Sequence, residues 1–238
     1  MSTQFEELAR QPTAIGEIVL RRRLEPTLQI DVYEVKLGDE YLMSSLFTAS
    51  ETQLAERALA ALEGTGLDIV VGGLGLGYTA RAVLNDQRVR SLHVIEAVPG
   101  VIDWHERHLL PLSTGLTTDP RCQLVEADFF AVIAAHAPFG PDAPDMVHAV
   151  MVDIDHTPRH HLHPRHAAFY KPAGLRHVAA RLHPGGVFSL WSDDPPDSDF
   201  ITAANAVFTS CDAQVVTFSN PLTGGEATST VYVSRSSR

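Results

Sequence analysis

Val70-Val71-Gly72-Gly73-Leu74-Gly75-Leu76-Gly77 joins a short apolar run to the start of an amphipathic one. The apolar run, residues 67–71, is predicted as a strand, and residues 78–84 as the helix that follows. Glycines let the backbone turn sharply and let a bound group come close to it. In an open parallel sheet such a turn lies at the carboxyl end of a strand, where ligands bind. The next predicted strand, residues 91–95, ends at Glu96 in His93-Val94-Ile95-Glu96-Ala97. An acidic residue about 20 positions after a glycine turn is placed to accept hydrogen bonds from ribose hydroxyls. The spacing Gly73-x-Gly75-x-Gly77 is not the G-x-G-x-x-G of dinucleotide sites. A third predicted strand, 122–125, delivers Glu126-Ala127-Asp128-Phe129. Asp128 suits the exocyclic amine of adenine, with Phe129 near the base. Gly73, Gly75, Gly77, Glu96, Asp128 and Phe129 are thus the candidate nucleoside-binding residues.

Outward from this stretch, strands and helices alternate. Predicted helices cover 101–109, 129–135, 164–182 and 199–208, and predicted strands 147–152, 186–191, 214–218 and 229–233. Near-continuous apolar strands between helices imply a parallel sheet covered on both faces. The last two strands lack a helix between them and should pair antiparallel. Upstream the pattern differs. Residues 17–22, 29–36 and 41–47 read as strands broken by Pro26 and Gly38-Asp39. Residues 51–62 read as a helix with Ser50 as N-cap and Gly64 as its stop. The expected division is a small antiparallel β module over 1–50 and an α/β domain over 51–238.

Composition narrows the partners. The chain has 238 residues, 45% hydrophobic and 20% charged, with a formal net charge of -11. That suits a globular protein and argues against nucleic acid, which needs clustered Lys and Arg. Arg21-Arg22-Arg23 sits beside Glu17 and Glu25 and reads as a solvated strand end. Two distant cysteines, Cys122 and Cys211, form no disulfide framework or zinc motif. The first ten residues lack a signal-peptide core, and no apolar run reaches the ~20 residues of a membrane span. The expected address is the cytosol, with no membrane partner.

Seven strands closing in a hairpin resemble the class I methyltransferase (Rossmann-like) fold, and the glycine loop with Glu96 and Asp128 resembles the adenosine site of S-adenosylmethionine enzymes. Further residues narrow the likeness: Val152-Asp153-Ile154-Asp155-His156-Thr157-Pro158, then Ala167-Ala168-Phe169-Tyr170, then Leu182-His183-Pro184-Gly185-Gly186. This resembles spermidine synthase, the polyamine aminopropyltransferase family, over nearly the whole chain. The resemblance implies transfer of an aminopropyl group from decarboxylated S-adenosylmethionine to an amine, and a homodimer. It implies that Asp153 deprotonates and anchors a cationic acceptor, and that Gln53 lies in the donor site. Counted without gaps, the family's second loop aspartate falls on His156 and its proline on Thr157, so His156 or Asp155 would assist Asp153. Gly75 stands where the family carries an aspartate that grips the donor's amine, and Thr52 where it carries tyrosine. Trp191, Asp193 and Asp194, after the fifth strand, are candidate acceptor contacts. The histidines from His160 to His166 are interrupted by Pro164 and read as rim residues, whereas His156 sits at the strand end near Asp153; no metal is expected. The alternatives are a methyltransferase using S-adenosylmethionine on a small molecule and a non-catalytic nucleoside-binding relative.

Overall fold

Two sheets share the chain in the computed structural model, which describes residues 5–13, 16–221 and 223–237. The first is an antiparallel sheet of β1 (Phe5–Thr13), β2 (Gly16–Glu25), β3 (Ile30–Leu37) and β4 (Glu40–Ser44). Its arginine run is paired within the sheet: Arg21 and Arg23 both donate to Glu34, and Arg22 donates to Glu6. The strand β1 was not expected. Phe5–Thr13 mixes charged and polar residues without an apolar face, and its extended form comes from pairing with β2.

The second sheet begins after α1 (Ala49–Ala60). It contains β5 (Leu67–Gly72), α2 (Tyr78–Asn85), β6 (Val89–Glu96), α3 (Pro99–Glu106), α4 (Ser113–Thr117), β7 (Cys122–Glu126) and α5 (Phe129–Ala135). It continues through β8 (Val147–Val152), α6 (Pro172–Ala179), β9 (Leu182–Ser192), α7 (Ser198–Asn205), β10 (Ser210–Asn220) and β11 (Gly225–Arg235). The strand order is β10-β11-β9-β8-β5-β6-β7, parallel from β9 to β7, with β11 antiparallel to both neighbours. This is the expected seven-stranded class I architecture.

Alternation along the strands divides the core, because successive side chains leave opposite faces of a sheet. Ile69 and Val71 enter one cluster with Leu54, Ala58, Val83, Trp104 and the β2 residues Ile18 and Leu20. Val70 enters the other with Phe129, Ile133, Leu175 and Phe200. The antiparallel module is therefore part of the first core. One expected helix is divided: residues 164–168 form a 3₁₀ turn before α6. Lys171, which precedes Pro172, is extended at φ -96°, ψ 160°, because the proline ring crowds a helical residue before it.

Candidate active site

Four strand ends meet at one edge of the larger sheet. β5 has β6 on one side and β8 on the other, the topological switch point where open α/β sheets bind ligands. The Asp153 N–H donates to the Gly72 carbonyl and the Gly73 N–H to that of Ile95, each at 2.9 Å. Gly73 has φ 95°, and a Cβ there would lie 2.1 Å from the Asp153 carbonyl oxygen. Only glycine allows the two strand ends to approach so closely. Farther along, His105 is fully buried beneath the loop, its Nε2 2.9 Å from the Gly75 carbonyl oxygen. A carbonyl only accepts, so Nε2 carries the proton. Burial pushes the His105 pKa down.

A cleft of about 390 Å³ opens above this edge, lined by both sheets. Gly73, Gly75, Glu96, Asp128, Phe129 and Asp153 all face it. Glu96 accepts from the Leu74 N–H at 3.0 Å with one oxygen and from the Val98 N–H at 2.9 Å with the other. The Gly75 and Ala97 amides also approach it, so the Glu96 carboxyl is ringed by backbone donors of the glycine loop and of the turn after β6. Burial raises the Glu96 pKa, and the backbone donors oppose the rise. Asp128 caps α5: its Oδ1 accepts from the Phe130 and Ala131 N–H groups at 3.0 and 3.3 Å. Its Oδ2 lies 2.8 Å from the Arg165 guanidinium. Phe129 packs beneath Gly72, where a Cβ would come within 2.7 Å of its ring, and forms part of the cleft floor.

Asp153, just past the end of β8, accepts from the Thr79 hydroxyl at 2.7 Å. Thr79 opens α2 and also reaches the Glu51 carbonyl at 3.3 Å, tying α1, α2 and β8 together. Burial raises the Asp153 pKa. Glu51 is raised as well, by burial and then by the charge of Asp153, with Asp193 adding to it. The Ser50 hydroxyl donates to Glu51 at 2.9 Å. Two partly buried carboxyl groups held this way resist ionising together, so the end of the cleft by Asp153 favours a proton or an arriving cation.

No protein-family model matches the chain. Polyamine aminopropyltransferase 2 of Pseudomonas aeruginosa is 30% identical over 148 residues, 59% of this chain and 39% of that protein. The match thus spans about two fifths of the curated relative's length. Spermidine synthase from Thermotoga maritima superposes with a TM-score of 0.70 at 17% identity, over 96% of this chain and 72% of that one. Spermidine synthase in complex with the transition state analogue AdoDATO gives 0.70 at 16% identity, over 96% and 73%. The chain shares its fold with these spermidine synthases. Human methyltransferase-like protein 13 in complex with SAH also superposes, at TM-score 0.59 and 20% identity over 79% of this chain and 82% of that one.

Several expected residues lie elsewhere. Asp155 is 2% exposed and is turned away into the protein. It accepts from the Leu162 N–H at 2.7 Å and the Tyr170 hydroxyl at 2.8 Å, and pairs with His166 Nδ1 at 2.9 Å. Its partners occupy it fully, so it orders the loop after β8 and does not assist Asp153. Gln53 is outside the cleft, its amide bonded to Glu56 and Arg57 on another side of α1. His156 packs its ring on His160 at 5.0 Å, and its carbonyl accepts from the Asp193 N–H. Trp191 packs against the first core, its indole nitrogen buried without a partner among the described residues. Asp194 lies in a shallow surface groove with Thr157 and Pro195. Gly77, at φ 90°, starts α2 over Leu116 and His105. It shapes the loop without lining the cleft.

Five contributors escaped the sequence reading: Glu51, Thr79, Arg165, Met43 and the strap Gln11–Thr13. For Glu51 and Thr79 a signal existed, since each stands in the first turn of a helix at the sheet edge. Among the described residues no helix is long and apolar enough to cross a membrane.

Proposed function

We propose that this chain transfers an alkyl group, an aminopropyl arm, from decarboxylated S-adenosylmethionine to a small-molecule amine. The observation that carries this reading is Asp153, a carboxyl with a raised pKa facing a cleft that also holds Glu96 and Asp128. The glycine turn approaches the nucleoside, Glu96 takes the ribose hydroxyls, and the remaining acceptor direction of Asp128 takes the adenine amine. Asp153 receives a proton from the acceptor amine, whose freed lone pair attacks the arm carbon bonded to sulfur. The new N–C bond forms as the C–S pair returns to sulfur, which changes from sulfonium to neutral thioether. A sulfonium carbon is already electrophilic, so alignment and deprotonation supply the catalysis. Asp193 adds negative charge that draws a cationic acceptor, while Glu51, raised to about 8 by burial, keeps its proton and leaves Asp153 to ionise.

The test is incubation with S-adenosylmethionine, its decarboxylated form and a panel of amines, read by mass spectrometry. An aminopropyl gain is expected. Asp153→Asn should lower kcat by about 10²-fold or more while nucleoside affinity stays within a few-fold; full turnover by this variant refutes the assignment. The likeness to a methyltransferase in complex with SAH supports a second reading, methyl transfer from S-adenosylmethionine, in which the same assay yields a methyl gain. Binding without any product would mark a non-catalytic relative. A cytosolic homodimer completes the proposal, its assembly checked by light scattering.

A further inference from the structure

His105 takes no part in the chemistry proposed above, yet it is fully buried and its ring supports the glycine loop. It stands in the last turn of α3, the helix that follows Glu96. Its Nε2–H donates to the Gly75 carbonyl at 2.9 Å. Its Nδ1 lies 3.4 Å from the hydroxyl of Ser113, which is also fully buried. That hydroxyl accepts from the Leu110 N–H at 3.3 Å. Its own proton is therefore free for Nδ1, which holds the ring in the Nε2–H form. The loop rests directly on the ring: a Cβ on Gly77 would come within 3.0 Å of His105 Cε1. From the other side Met43 of β4 covers Gly75, where a Cβ would lie 2.8 Å from its sulfur.

Gly75 is thus held at both of its polar groups. Its N–H approaches Glu96, in company with the Leu74 N–H, and its carbonyl is taken by His105. Gly75 has φ 48°, a conformation with no side chain to stiffen it, so an outside partner sets the direction of the loop. Without the His105 donor the carbonyl must turn to find another, because a backbone oxygen left unpaired is costly. That turn carries the adjoining amides off Glu96. We propose that His105 is a positioning residue for the nucleoside site: by anchoring the Gly75 carbonyl it keeps the loop amides on Glu96, and so keeps that carboxyl aimed at the ribose hydroxyls. Asp128 takes its backbone donors from α5, so the grip on the base is independent of His105. This rests on the nucleoside site proposed above.

Calorimetry on the full chain tests it, with adenosine and 2′,3′-dideoxyadenosine as probes, since only the first has the hydroxyls assigned to Glu96. His105→Leu removes the donor, and His105→Gln places an amide nitrogen near the position of Nε2. His105→Leu should lose about 10-fold for adenosine, the worth of one hydrogen bond to a charged group, and stay within about 2-fold of wild type for the dideoxy probe. His105→Gln should recover most of that loss. Ser113→Ala keeps the ring but releases its tautomer, and should lower the preference for adenosine in the same direction; it carries the test if His105→Leu does not fold. An adenosine preference unchanged in His105→Leu and Ser113→Ala overturns the proposal. So does a His105→Gln no better than His105→Leu, and so does an equal loss for both probes, which marks the ring as a prop of the fold only. A wild type that binds the two probes alike removes Glu96 from the ribose, and one that binds neither removes the nucleoside site itself; both failures are separate from that of His105.

Discussion

Gly73→Ala tests the junction on which the site is built. A methyl at this position would sit 2.1 Å from the Asp153 carbonyl oxygen, far inside the 3.4 Å at which ordinary contact begins. The carbonyl belongs to backbone at the end of β8, so no side-chain rotation relieves the clash. Two costs combine. A side chain at positive φ is strained by about 1–2 kcal/mol, and overpacking that shifts backbone adds about 1–3 kcal/mol. Together they are on the order of 3 kcal/mol, which lowers the melting temperature of a chain this size by roughly 6–12 °C. Gly64→Ala is the matched control: Gly64 also has positive φ, 81°, but a Cβ there meets nothing within 4 Å. Thermal denaturation followed by circular dichroism should therefore place Gly73→Ala well below Gly64→Ala, since only the first collides. Turnover should fall about 10-fold or more in Gly73→Ala alone, because the relieved strand end carries Asp153 away from the cleft. If the two variants melt within about 2 °C of each other, the close approach of β5 and β8 is not what this glycine serves.

Asp155→Ala should cost about 3–5 kcal/mol, because Tyr170, His166 and the Leu162 N–H lose their buried partner together; an unchanged melting temperature contradicts the structural role given to Asp155. Glu51→Gln should flatten the pH dependence of stability. The raised pKa of Glu51 means the folded state holds its proton more tightly than the unfolded one, so stability falls as pH rises from the ordinary carboxyl range through the raised value. The variant should melt higher than wild type at the alkaline end by several degrees, each unit of pKa difference being worth about 1.4 kcal/mol, and the two should converge in acid. Parallel curves between about pH 5 and 9 refute a shifted Glu51.

The half of the cleft that holds Glu96 and Asp128 was readable in the sequence because its parts are local. Glu96 and Asp128 each follow a short apolar strand, and a parallel sheet brings such strand ends together whatever the intervening helices do. The other half depends on packing that no local pattern encodes. Glu51 meets Asp153 only because α1 lies across the sheet beside α2. Gln53, two residues along α1, is turned by about 200° relative to Glu51 and so faces elsewhere. The phase set by buried Leu54, Ala55 and Ala58 distinguishes the two, once the cleft's position is known. Asp153 and Asp155 look equivalent in sequence. Tyr170 and His166 pull the second into the interior, and both partners come from beyond the loop. Met43 was invisible for a related reason, since a strand read only as part of a leading module gave no hint that it roofs the glycine turn.

The cleft has two owners. Residues 5–44 supply the greasy roof, while the acidic groups all come from the chain after α1 begins. Changes in the leading strands can therefore reshape the roof and leave the buried carboxyl groups untouched. In this architecture the shape of the cleft and its acidity are heritable as separate pieces.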